Sequence, residues 1–141
     1  MKALFLTLFL SAQIIANAKS FSADTLSFWH VFYNKIKVKE YNGHNMHEIL
    51  VFKTTNIKKE DSITVAYFRD TPCHDCPTKL IVEDEKHYIV TIGSDKGTFT
   101  PISVSATKLL IYKKKYNTNY FDVYFYEENR RKLFLFRIKL E

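Results

Sequence analysis

Apolar and polar positions alternate most regularly near the end of the chain. In residues 120–126, Phe121, Val123 and Phe125 fall on one side of a period-two pattern and Tyr120, Asp122, Tyr124 and Tyr126 on the other. Residues 127–131 are all polar or charged, and alternation resumes over 133–140, with Phe134, Phe136, Ile138 and Leu140 opposite Arg137 and Lys139. The pattern predicts two strands joined as a hairpin, with an apolar face that a second layer must cover.

The same reading extends backwards. Residues 29–41 read as one half-buried strand, with Phe32, Ile36 and Val38 opposite Lys35, Lys37 and Lys39. Asn42-Gly43 supplies a tight-turn dipeptide, and 46–53 reads as the returning strand of a hairpin. A charged connector at 56–61 leads into 62–68, where Ile63, Val65 and Tyr67 alternate with Thr64, Ala66 and Phe68. Both faces are apolar there, which predicts a central strand. Residues 79–82 and 86–92 are further strands around a charged turn at 83–86, and 93–97, with glycine at both ends, reads as a turn. Pro101 confines the strand at 99–104 to a sheet edge or a strand start. Ser105 stands where a helix N-cap belongs, and Leu109, Tyr112 and Tyr116 follow at helical spacing, predicting a helix over 106–114 that ends at Asn117.

About eight short strands separated by turn signals, with one short helix, predict an all-β fold, an antiparallel β-sandwich. A small up-and-down β-barrel is the alternative, because strand count does not separate the two. The sequence shows no internal repeat, low-complexity tract or linker, so a single domain is expected.

Composition adds a compartment. Lys2 precedes an apolar run at 3–10, and Ala16-Asn17-Ala18 places small residues where a signal peptidase reads them. Residues 1–18 are therefore expected to be a signal peptide and 19–141 a single β-sandwich domain. Thr7, Ser11 and Gln13 interrupt the apolar run, which is short for the roughly 20 residues of a membrane span. Export to the periplasm or the medium follows as an expectation, with no transmembrane segment after cleavage. The net charge of +6 is spread, with acidic clusters at 83–85 and 127–128 among the lysines. That describes a solvated basic surface, and no nucleic-acid partner is expected.

Candidate chemistry centres on Cys73-His74-Asp75-Cys76, flanked by Pro72 and Pro77. In an exported chain two cysteines at this spacing can form a disulfide, a redox dithiol or half of a metal site. A thioredoxin-type dithiol needs the N-terminus of a helix, and 78–82 reads as extended. Haem attachment needs histidine just after the second cysteine, where Pro77 stands. A zinc or copper site would use Cys73, His74 and Cys76, completed by His44 and His47 three residues apart. The context favours a structural disulfide pinning a loop, with no cofactor.

Tyr120, Tyr124 and Tyr126 are the second candidate, because rows of tyrosine on a sheet stack on sugar rings or anchor a protein partner. They can equally form the second buried face of a central strand. Lys113, Lys114 and Lys115 would lend charge beside them. The sequence contains no Gly-x-Ser-x-Gly elbow, His-Glu-x-x-His pair or phosphate-binding loop. The reading is an exported, non-enzymatic module that binds a protein or glycan. A periplasmic metal-binding or thiol-redox protein using the Cys73 to Cys76 loop is the alternative.

Overall fold

A computed structural model describes residues 27–141, so the leader expected at 1–18 and the start of the domain lie outside the described residues. The elements run β1 (Phe28–Tyr33), β2 (Ile36–Asn42), β3 (Ile49–Phe52), β4 (Ser62–Phe68), β5 (Pro77–Asp84), β6 (Ile89–Lys96), β7 (Ile102–Ser105), α1 (Ala106–Tyr116), β8 (Tyr120–Glu127) and β9 (Leu133–Leu140). They form two sheets, one ordered β2-β1-β4-β7 and the other β3-β9-β8-β5-β6. The sheets face each other as a sandwich and do not close into a barrel. All pairings are antiparallel except that of β3 with β9.

Alternation builds the core. Trp29, Val31, Ile63, Val65 and Tyr67 of the first sheet and Leu80, Val82, Phe121, Val123, Phe125, Phe136 and Ile138 of the second form one buried cluster. β4 lies between β1 and β7, as its two apolar faces require. β7 is an edge strand that begins just after Pro101, where a missing N–H costs no ladder bond. The helix also follows its local signals. Ser105 Oγ accepts the Lys108 N–H, Leu109 is fully buried, and Asn117 closes the last turn in the left-handed region at φ 52°, donating its N–H to the Lys113 carbonyl.

Five local expectations are corrected. The stretch 29–41 is a hairpin, not one strand: Asn34 and Lys35 both take positive φ, 49° and 71°, as a two-residue turn requires, and β1 pairs with β2. Ile36 is accordingly 70% exposed, and Val38 also faces solvent. Asn42-Gly43 opens no hairpin; the chain crosses there to the second sheet, where β3 pairs in parallel with β9. Residues 93–96 are strand, not turn, and only Gly97, at φ +86°, turns the chain. A Cβ on Gly93 would lie 2.4 Å from the Ser103 carbonyl oxygen, so this glycine serves the close approach of β6 to β7. β5 runs on through Glu83 and Asp84, which are buried, not solvated in a turn.

The fifth concerns the terminal hairpin. Val123 sits opposite Phe136 but Tyr124 opposite Phe134, so Leu135 is one residue extra on β9. The bulge turns Leu135 into the core, where it is fully buried, and sends Phe134 to the outer face. There its ring meets the Tyr124 ring edge-on, with centroids 5.7 Å apart.

Candidate functional site

The cysteine loop leaves β4 and returns at Pro77, the first residue of β5. Cys73 and Cys76 have Cα atoms 5.9 Å apart and their sulfurs are in disulfide contact. The loop is tied to the turn after β6 by backbone bonds from Gly97 N–H to the Cys76 carbonyl (2.9 Å) and from Thr98 N–H to the Cys73 carbonyl (2.8 Å). The buried Thr98 accepts the Cys73 N–H on its hydroxyl at 2.7 Å and donates that hydroxyl to Glu127 Oε2 at 2.7 Å.

Phe28 pairs with Asn42 on one side and Phe68 on the other, so the loops bearing His44 and Cys73 leave the first sheet at the same end. Among the described residues, however, no group of three or more histidine, cysteine, aspartate or glutamate side chains is placed to hold a metal ion. Cys73, His74, Cys76, His44 and His47 are not gathered into one cluster.

Tyr120, Tyr124 and Tyr126 project from β8 on the outer face of the five-stranded sheet and are half-buried. They are not a second core face. Cations lie over their rings: Lys132 Nζ is 4.1 Å from the Tyr124 centroid, Lys79 Nζ 5.9 Å from Tyr126, and Arg137 and Lys139 about 6 Å from Tyr120. Burial raises the Tyr124 phenol above its ordinary value, and Asp122 and Glu83 add to the rise. Asp122 is buried beneath a two-pronged contact from Arg137, at 2.7 and 2.8 Å. Exposed Ile49 and Val51 on β3 and Ile92 on β6 extend the apolar area across the same face. Lys113, Lys114 and Lys115 are not part of it: Lys113 bonds Asn119 and Lys115 lies over Tyr116, both at the end of α1. The alternation of 120–126 located the tyrosines, but their cations come from β5, β9 and the β8 to β9 turn, which pairing alone brings together.

Two hollows were not legible in the sequence. One, of about 360 Å³, opens where the two sheets end, between Tyr67 and Arg69 of the first and Phe125, Glu127, Arg130, Arg131 and Leu133 of the second. Arg69 Nη2 and Arg130 Nε reach the same Glu127 oxygen at 2.5 and 3.0 Å. The second, of about 510 Å³, lies between the β5 to β6 turn and the end of α1, lined by Tyr88, Tyr112, Tyr116 and Asp84 among others. Burial works to raise the Asp84 carboxyl, but the Tyr88 N–H, the Tyr112 hydroxyl and the Lys86 N–H outweigh it and hold it below the usual range. Burial, reinforced by Asp84, pushes the Tyr112 phenol up to about 12.

Fold and surface together define a two-sheet β-sandwich with a basic, aromatic outer face and a cysteine loop at one end. Among the described residues no helix is long and apolar enough to cross a membrane. No protein-family model matches the chain, and no curated protein matches it.

Proposed function

We propose that this chain is an exported, non-enzymatic β-sandwich module that binds a protein partner through the outer face of its five-stranded sheet. The observation that carries this reading is the composition of that face: half-buried tyrosines and Phe134 are bordered by exposed Ile49, Val51 and Ile92, and no further layer of the described chain lies over them. Tyrosine brings large contact area with few rotamers to fix, which suits a binding anchor. A glycan is the less supported partner, because stacking on a sugar needs open ring faces and here Lys132, Lys79, Arg137 and Lys139 stand over them. The same cations favour a partner whose own surface carries carboxylates. The sequence features at 1–18 support export.

A photo-crosslinking residue at position 92 or 126 should capture a partner that the same residue at Ile36, on the first sheet, does not. Tyr124→Ala and Tyr126→Ala should each weaken the captured complex by roughly tenfold or more while the domain stays folded. Undiminished affinity in both variants, or unfolding in both, would sink the reading.

A further inference from the structure

The hollow at the end of the sandwich carries an inference separate from the outer face. Its charged lining is unbalanced: Arg69 and Arg130 share one carboxylate, Glu127, while Arg131 has no carboxylate partner among the described residues. Arg69 and Glu127 are deeply placed, with side chains only 10% and 5% exposed, and Arg69 Nε is buried without a hydrogen-bond partner. Around this buried pair one further guanidinium, Arg130, reaches the Glu127 oxygen that Arg69 holds, so two cations share one anion and leave an excess of positive charge. The Glu127 carboxylate cannot turn away to suit a ligand, because Thr98 holds its second oxygen and the cysteine loop holds Thr98. The remaining wall is mixed: Tyr67 and Phe125, stacked at 4.6 Å across the two sheets, and Leu133 give it an apolar side, and Ser27 and Thr71 a polar one.

We propose that this hollow is a binding site for a small organic anion. The carboxylate or phosphate of the ligand is held by Arg130 and Arg131, and its apolar or aromatic body lies against Tyr67, Phe125 and Leu133. Guanidinium forks match the two oxygens of a carboxylate or phosphate, and Arg69 on the floor neutralises the fixed Glu127 carboxylate, so that Arg130 and Arg131 leave the site net positive. The volume of about 360 Å³ suits a ligand of one ring and one acidic group. Sequence reading missed the site because its arginines fall in the polar run after β8 and look like an ordinary hairpin loop, whereas Arg69 lies beyond β4 in the opposite sheet.

The test is a titration of the isotopically labelled protein, followed by amide chemical shifts, with phenylacetate, phenyl phosphate and the neutral benzyl alcohol. The proposal expects one or both anions to shift the amides of Arg130, Arg131 and Leu133, and benzyl alcohol to bind at least about tenfold more weakly. Phenylacetate against phenyl phosphate decides which oxyanion is preferred. Arg130→Gln and Arg131→Gln change exposed side chains, so the spectra should keep their dispersion while affinity falls about fivefold to tenfold in each. Equal binding of benzyl alcohol, shifts scattered over the lysine surface, undiminished affinity in both variants, or no response to either anion up to about 10 mM would each overturn it.

Discussion

Asp61 shows how much one side chain can organise. Its carboxylate accepts the Lys58 N–H and the Asn34 side-chain amide, each at 2.7 Å, and the Tyr33 hydroxyl, while its carbonyl accepts the Ala106 N–H at 2.9 Å. It therefore joins the β1 to β2 turn, the approach to β4 and the first turn of α1. The Lys58 N–H first, then Tyr33 and Asn34, hold the carboxyl below the usual aspartate range, against a smaller opposing effect of burial. A carboxyl whose pKa is lower folded than unfolded stabilises the fold above the unfolded value, and loses that contribution as pH falls through the folded one. Asp61→Asn should lower the thermal midpoint near neutral pH, and the gap to the unmodified protein should narrow on acidification below about pH 4. Melting curves of both proteins across that range check it; a gap that stays constant would show that the charge of Asp61 contributes nothing.

Single elements close on single residues. α1 carries Lys113, Lys114 and Lys115 in its last turn, where they complement the exposed carbonyls, and it ends because Asn117 takes φ 52° and ψ 44°. Asparagine tolerates this conformation, glycine adopts it freely and alanine does not. Asn117→Ala should cost about 1 kcal/mol, and Asn117→Gly should be neutral within a few tenths. Denaturant unfolding of the two variants separates backbone strain from side-chain contacts, since equal losses would point to the latter. The terminal hairpin makes the complementary case. Its strands were evident from alternation, but the bulge at Leu135 reverses the expected side of Phe134, and that reversal helps to form the aromatic outer face.

For the molecule as a whole, the cysteine loop is a local brace. Closing so short a ring limits the unfolded chain by only about 2 kcal/mol in the loop-entropy model. The bonds from Gly97 and Thr98 hold the loop independently of the sulfurs, and the buried cluster extends through both sheets. Reduction should therefore shift the unfolding midpoint modestly and leave one cooperative transition. Intact mass before and after thiol alkylation, run beside the melts, should show a chain lighter by two hydrogens that resists alkylation until it is reduced. Loss of the folded signal on reduction would mean that the disulfide holds the whole domain.

The sequence by itself determined what depends on neighbours along the chain: the alternation that makes strands of 62–68 and 120–126, the Ser105 cap, the Asn117 stop and the edge position that Pro101 imposes on β7. Each is a short-range steric or hydrogen-bonding preference that survives in most surroundings. Tertiary structure alone decided the rest. Gly93 read as a turn because glycine permits one, yet it is a strand residue since Ser103 of another strand leaves no room for a side chain. Asn42-Gly43 read as a hairpin because no local signal records that β3 would find β9, far along the chain, before it found β2. The hollow at Arg69 and Glu127 left no local trace, because residues 58 positions apart meet only when the two sheets pack and make a buried charge affordable by pairing it.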